Sequence, residues 1–301
     1  MYKVLETKQL CDKIYLMVIE APRVAAQCQP GQFVIICVDE QGERVPLTIC
    51  DFNREKGTVT IVFQVIGVST EKLALYKAGD SINDFTGPLG NPSELINEDI
   101  VELKGKRILF VAGGVGTAPV YPQVKWLKEQ GVLVDVIVGA KTKDLVILED
   151  EMGVVAGNLY ITTDDGSYGK KGMVTEAIRS LVENGHQYDL CVAIGPLIMM
   201  KFVCLVTKEL NIPTIVSMNP IMVDGTGMCG ACRLEVGSDT KFACVDGPEF
   251  DGHKIDFDAI MKRQGMYKNL EAKAVEHYHH HHNDTNHVCT RSGGCICGGE
   301  K

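Results

Sequence analysis

The chain has 301 residues, 39 acidic against 30 basic, a net charge of −9, and is 45% hydrophobic and 23% charged. That length supports two or three domains with ample core. The acidic balance argues against a broad nucleic-acid-binding face.

In chain order, the start MYKVLETKQLCDKIYLMVIE alternates like a strand and lacks the charged-then-apolar plan of a signal peptide. Residues 1–97 read as short strands in KIYLMVIEA, GQFVIICVD, VPLTICDF and GTVTIVFQVIG, punctuated by turn residues, as in a small antiparallel β-barrel. A helix is expected in STEKLALYK. From Arg107 the texture changes: RILFVAGG is a continuous apolar run, as in a parallel strand covered on both faces. Helices in APVYPQVKWLKEQ, LVILEDEMGVVA, GMVTEAIRSLVEN and LIMMKFVCLVTKEL then alternate with strands in VLVDVIVGA, LYITTDD, YDLCVAIG and PTIVSMN. Five parallel strands separated by helices make residues 98–219 a doubly wound α/β domain. The apolar run Leu190 to Val206 is broken by Gly195-Pro196 and interrupted by Lys201, which favours strand, loop and helix over a membrane span. The protein is expected to be cytoplasmic, with neither membrane nor nucleic acid among its partners.

Residues 220–258 carry a cysteine loop with little periodicity, too small to stay ordered without a metal or neighbouring domains. Residues 259–301 are expected to be a helical or disordered tail. Its end is polar and low in complexity, with His280 to His282, Cys289, Cys295 and Cys297 as adventitious metal ligands at most. Of the 12 cysteines, Cys11, Cys28, Cys37, Cys50, Cys191 and Cys204 lie in apolar segments and read as buried small hydrophobes.

Four constellations carry chemistry. In VAGGVGTAPVYP, Gly114, Gly116 and Pro119 open a helix after the first α/β strand. Glycines there let backbone approach a pyrophosphate, and the helix start supplies free N–H groups; a tight turn without ligand is the alternative. In TTDDGSYGKKG, Asp164 and Asp165 suit the hydroxyls of an adenosine ribose and would repel a 2′-phosphate, which favours NAD(H). Otherwise Asp165-Gly166 is simply a turn. ERVPLT and VIGVST offer Arg44 to phosphate, Thr48 to a ring nitrogen, and Gly67, Ser69 and Thr70 as a second phosphate-binding helix start. Turn and cap chemistry accounts for these as well. Finally, Asp224-x4-Cys229-x2-Cys232-x11-Cys244 puts four anionic side chains in reach of one centre on a glycine-rich loop. That spacing is similar to ferredoxin-type ligation of a 2Fe–2S cluster, and a zinc site with the same four ligands is the rival.

The order barrel, α/β domain, cysteine loop resembles the ferredoxin–NADP reductase superfamily across nearly all of residues 1–257. Within it the chain is most similar to electron-transfer subunits: the iron–sulfur subunits of dihydroorotate dehydrogenase, and the small subunits of NADH-dependent reduced ferredoxin:NADP oxidoreductases, also called sulfide dehydrogenase β subunits. In such a protein RVPLT is the flavin strand, with Pro46 preceding Leu47 in the place of the usual stacking tyrosine and Thr48 in the serine place. Arg44 stands one residue before the usual arginine. GVST matches the flavin pyrophosphate loop, and GPLG at 87–90 closes the flavin domain. GGVGTAP, with Thr117, matches the nicotinamide-nucleotide loop. IGPLIMM, with Gly195, Pro196 and Met199, matches the family's C-G-P-x-x-M, Ile194 replacing its cysteine.

The resemblance implies FAD in residues 1–97, NAD(H) in 98–219 and a 2Fe–2S cluster in 220–258, with Asp224, Cys229, Cys232 and Cys244 as ligands and no catalytic side chain. Aspartate at the first ligand position is similar to the transhydrogenase-type subunits, whereas dihydroorotate dehydrogenase subunits carry cysteine there. That likeness implies a larger partner subunit with FAD and 4Fe–4S clusters that binds NADP(H), ferredoxin reached through the complex, and electron bifurcation. The alternatives are an electron-transfer subunit of a dihydroorotate dehydrogenase, hydrogenase or sulfide dehydrogenase, or more remotely a nucleotide-binding scaffold with a zinc knot.

Overall fold

The computed structural model describes residues 1–40, 42–283, 288–289 and 295–296. The strands β1 (Tyr2–Cys11), β2 (Ile14–Glu20), β3 (Phe33–Cys37), β4 (Arg44–Asn53), β5 (Thr58–Gln64), β6 (Ser81–Ile82) and β7 (Asp84–Leu89) form one antiparallel sheet. Its order is β6-β1-β2-β5-β4-β3-β7. The two end strands are separated in sequence by Asn83 alone, so the sheet curls round as a nearly closed barrel. Alternate residues point inward, and Met17, Ile19, Val34, Ile36, Val59, Ile61 and Phe63 fill the interior. Burying each such side chain contributes roughly 1.5–3 kcal/mol. Helices α1 (Pro22–Gln27) and α2 (Val68–Ala74) complete this part; α1 is too short to leave a periodic signal.

The second sheet follows α3 (Ile100–Gly105). Its strands β8 (Ile108–Gly113), β9 (Asp135–Ala140), β10 (Asn158–Thr163), β11 (Lys170–Lys171), β12 (Leu190–Ile194) and β13 (Thr214–Ser217) run parallel. They are connected by α4 (Thr117–Glu129), α5 (Glu149–Val155), α6 (Val174–Glu183) and α7 (Leu197–Glu209). β8 and β12 are buried along their whole length, which is why both are uniformly apolar. The apolar run from Leu190 is thus a strand and a helix, and no helix among the described residues is long and apolar enough to cross a membrane.

The cysteine segment contributes the hairpin β14 (Arg233–Val236) and β15 (Asp239–Phe242), then β16 (Glu249–Asp251). β16 joins the parallel sheet as an antiparallel edge on β13, giving the order β11-β10-β9-β8-β12-β13-β16. Its core is shared too. Leu234, Cys232 and Cys244 pack in one cluster with Phe33 and Ile35 of the barrel and Val203 and Val216 of the α/β domain. The segment is ordered by its neighbours on both sides.

The tail departs from the disordered alternative over its first part. α8 (Phe257–Gln264) is capped by Asp256, whose carboxylate accepts from Ala259 N–H, and α9 (Lys268–Asn283) runs on through the first histidines. His279 meets Glu71 of α2 at 2.8 Å. The suggested metal ligands around Cys289, Cys295 and Cys297 lie outside the described side chains.

Candidate functional site

The parallel strands stand in the order β10-β9-β8-β12-β13, so the connections diverge to either side between β8 and β12. A crevice forms at the carboxyl ends of strands at such a switch point, and two of the predicted loops meet there. A Cβ on Gly116 would lie 2.3 Å from the Ile194 carbonyl oxygen. A Cβ on Gly113 or Gly195 would meet the end of the Met199 side chain, Sδ at 2.3 Å and Cε at 2.8 Å, which is flexible and can shift. Glycine at 116 lets the turn after β8 approach the end of β12 this closely, with Pro196 as the residue before α7. Thr117 donates to the Gly114 carbonyl at 2.9 Å and closes the turn into α4. The first N–H groups of α4 have no intrahelical acceptor, and Pro119, in that first turn, removes a donor the helix does not need.

Asp164 and Asp165 follow β10 at the same sheet edge, two strands from the switch point. Asp165 forms a local turn: it accepts from the Ser167 N–H and hydroxyl at 2.9 and 2.7 Å, and these bonds hold its carboxyl below the usual range. Asp164 remains exposed.

In the barrel, residues 44–48 of β4 pair with β3, whereas pairing with β5 begins only at Ile49. Pro46, lacking an N–H, therefore sits where one strand edge is open. Val45 and Leu47 pack toward the barrel core. Arg44, Pro46 and Thr48 fall on the opposite face by strand alternation. At the α2 start the hydroxyls are already committed. Ser69 donates to Glu43 at 2.8 Å; Thr70 Oγ1 accepts from the N–H groups of Ile66 and Gly67 and donates to the Gly67 carbonyl.

Arg44, expected as a phosphate contact, has three protein acceptors in the structure. Its Nη1 is 3.4 Å from Asp84 Oδ2, its Nε donates to the Val223 carbonyl at 2.9 Å, and its Nη2 to the Asp224 carbonyl at 3.4 Å.

The cysteine loop supplies donors in two pairs. Cys229 Sγ is 3.2 Å from Asp224 Oδ1, and Cys232 Sγ is 3.2 Å from Cys244 Sγ. The second pair follows from the eleven-residue spacing. The β14–β15 hairpin pairs Arg233 with Phe242, which brings Cys232, one residue before β14, beside Cys244, two residues after β15. Cys232 and Cys244 are buried and Cys229 exposed. Burial, with the Cys232 thiol alongside, pushes the Cys244 thiol up to about 12. Desolvation opposes ionisation of Asp224. Even so, bonds from the Thr226 N–H, the Cys229 thiol, the Thr226 hydroxyl and the Cys229 N–H hold its carboxyl at about 2. Ala231 N–H points at Cys229 Sγ at 3.5 Å, the kind of amide contact a sulfur-rich centre uses. Among the described residues, no group of three or more His, Cys, Asp or Glu side chains is gathered for a single metal ion. Two pairs of anionic donors suit a two-iron cluster with two terminal ligands per iron better than a tetrahedral zinc ion.

The loop rests directly on the barrel. A Cβ on Gly225 would lie 2.4 Å from Ile35 Cδ1 and 3.0 Å from Leu89 Cδ1. Asn91, just after β7, donates its backbone N–H to the Gly247 carbonyl and its side-chain amide to the Val245 carbonyl.

Comparison with known proteins agrees with this arrangement. The iron–sulfur cluster binding domain of dihydroorotate dehydrogenase B matches residues 219–256. A Clostridium beijerinckii protein from the adh 3′ region is 58% identical over 302 residues, spanning 100% of both chains. The Thermotoga maritima homolog of the dihydroorotate dehydrogenase B (NAD(+)) electron transfer subunit is 44% identical over 92% of this chain and 95% of its own. The chain belongs to the family of dihydroorotate dehydrogenase B electron transfer subunits and their homologues. A solved structure of the NADH-dependent reduced ferredoxin-NADP oxidoreductase, described in the context of flavin-based electron bifurcation, matches with a TM-score of 0.84. Its sequence identity is 42%, over 92% of this chain and 98% of that one.

For an electron-transfer subunit of this family, several structural residues were not visible in the sequence. Ser93, Gln123 and Glu249 meet in a buried triad joining the post-barrel segment, α4 and β16. Ser93 Oγ lies 3.1 Å from Gln123 Oε1 and 2.9 Å from Glu249 Oε2, and Gln123 Nε2 donates to Glu249 Oε1 at 2.7 Å. Burial pushes the Glu249 carboxyl up, against the opposing hydrogen bonds. The three residues come from distant segments and no local pattern marks them.

Proposed function

We propose that this chain is the NADH-facing subunit of an electron-bifurcating NADH/ferredoxin:NADP oxidoreductase. It is an FAD- and NAD(H)-dependent oxidoreductase subunit with a 2Fe–2S cluster, working with a larger catalytic subunit. One observation carries the reading: the loop with its two donor pairs sits on the outside of the barrel, Gly225 against Ile35 of β3, the strand that pairs with β4, so flavin strand and cluster ligands adjoin within one chain.

The residues divide the work by position. Pro46, Leu47 and Thr48 of β4 and the Gly67, Ser69, Thr70 turn would hold FAD along the open edge of β4. Gly114, Gly116, Thr117 and Pro119 would hold the dinucleotide phosphates at the start of α4, with Asp164 and Asp165 placed for an adenosine ribose. Gly195, Pro196 and Met199 form the wall where the nicotinamide would lie. Asp224, Cys229, Cys232 and Cys244 would hold the cluster. When bound, the flavin exchanges a hydride with the nicotinamide and releases electrons singly, which the cluster carries one at a time. The protein's part is to bind, to space the groups and to keep water from them. Around the ligands, Met228, Val223 and Val245 present exposed apolar surface, 86%, 50% and 43% accessible. That face is where the larger subunit, carrying its own FAD, 4Fe–4S clusters and NADP(H) site, would dock.

The test is reconstitution of the complex with its partner. NADP reduction that needs both NADH and reduced ferredoxin supports the reading; a heterodimer without any ferredoxin-dependent reaction overturns it. The family relationship to dihydroorotate dehydrogenase B subunits favours a second reading, in which the partner oxidises dihydroorotate. NADH formation driven by that substrate would establish it instead.

A further inference from the structure

We propose that Arg44 is a positioning residue for the cluster loop: it locks the backbone at Asp224 to the flavin strand and does not hold a cofactor phosphate. The inference rests on the redox reading above and assigns one residue within it.

Strand register fixes where the guanidinium goes. On neighbouring strands, Cys37 of β3 pairs with Arg44 of β4 and with Asp84 of β7. Arg44 and Asp84 therefore stand either side of Cys37 on one face of the sheet. The same face carries Ile35, the residue against which Gly225 packs, because residues two apart on a strand share a face. The loop of residues 223–225 thus lies over this patch, and Arg44 reaches it by two carbonyls, Val223 at 2.9 Å and Asp224 at 3.4 Å.

Three acceptors in three directions account for the Nε and both terminal nitrogens of the fork. The third, Asp84, is itself held by the Thr86 hydroxyl at 2.9 Å. The Asp84 carboxylate also neutralises Arg44 locally, which weakens any attraction for a phosphate. A lysine offers a point charge and no planar fork, so it cannot reproduce three fixed contacts. Thr48, the expected flavin contact, lies four residues along β4 on the same face, about 13 Å away at the usual rise per residue. One strand thus carries the anchor of the cluster loop at its start and the expected flavin contact at its middle. Its rigidity sets their separation.

The experiment compares the full chain, purified anaerobically, as wild type, Arg44→Ala, Arg44→Lys and Asp84→Asn. Flavin content, iron content, the rate of iron loss to a chelator and the EPR spectrum after dithionite reduction are read for each. Outer partners of metal ligands typically matter by about 10–100-fold. The expected result is unchanged flavin content, iron loss roughly 10–100-fold faster in Arg44→Ala, and a shifted EPR spectrum. Arg44→Lys should be intermediate, and Asp84→Asn a smaller change of the same kind. Flavin loss with unchanged iron retention and spectrum would make Arg44 a phosphate ligand and overturn the proposal, as would no change at all. If Arg44→Ala does not fold, the other two variants decide by the same criteria. A wild type without flavin or iron would instead overturn the redox reading, before any variant is compared.

Discussion

Gly225 lies so close to Ile35 that a Cβ would come within 2.4 Å of its Cδ1, and its φ of +75° is one that side-chain-bearing residues rarely adopt. The cluster loop is pressed onto the barrel at the residue following Asp224. Gly225→Ala must therefore displace the packed Ile35 side chain or the loop, and it strains the left-handed backbone. Overpacking costs about 1–3 kcal/mol, and the left-handed backbone on the order of 1 kcal/mol more. Thermal unfolding should show a loss of roughly 2–4 kcal/mol, with iron lost before flavin. A variant of wild-type stability and iron content would contradict the packing described.

The nucleotide crevice makes an independent prediction. Gly116→Ala would place a methyl 2.3 Å from the Ile194 carbonyl, backbone against backbone, with nothing flexible to yield. Strain of about 1–3 kcal/mol at this contact corresponds to a roughly 5- to 150-fold weaker site. The Michaelis constant for NADH in a dye-reduction assay should rise within that range while flavin and iron stay bound. An unchanged constant would move the nucleotide site elsewhere.

Glu249 makes stability depend on pH. Burial raises its folded-state pKa above the unfolded value, so the native state binds more protons than the unfolded chain between the two values. Its contribution is complete below the unfolded value of about 4.3 and is lost as pH rises through the folded one. A neutral Glu249 also closes the triad, donating to Ser93 while Ser93 donates to Gln123 and Gln123 to Glu249. Glu249→Gln keeps this ring without the titration. It should match wild type at low pH and equal or exceed it above the folded pKa, in denaturant melts across pH. Glu249→Ala, which leaves two buried partners unpaired, should cost about 1–3 kcal/mol. A Gln variant with the wild-type pH slope would sink the assignment.

The Lys125–Asp51 pair, 2.8 Å across the junction of α4 and β4, has its side chains 33% and 34% exposed. Such pairs contribute about 0–1 kcal/mol, so Lys125→Met should leave flavin content and stability nearly unchanged. A large loss in thermal melts would show that this contact, not the shared core, holds the two domains together.

Legibility followed distance along the chain. The uniformly apolar β8 and β12 declared a covered parallel sheet because each residue of those strands is buried. The donors at 224, 229 and 232 share one loop and Cys244 is returned by a short hairpin, so spacing alone suggested four ligands. The protein contacts of Arg44 were not legible because they depend on the register of three strands and on a loop 180 residues away. β16 was hidden for a similar reason: three residues long, it is a strand only because β13 offers a free edge. α9 lacks an apolar stripe, and its histidines resembled low-complexity sequence.

The most direct test of the central claim, a two-iron cluster ligated by Asp224 beside a flavin, is anaerobic purification with metal and flavin analysis and EPR after NADH or dithionite reduction. Wild type and Asp224→Cys should be measured side by side. Flavin and a two-iron centre are expected in both, with a reduced-cluster signal that the substitution shifts. An unshifted signal would remove Asp224 from the cluster, and zinc in place of iron would contradict the account outright.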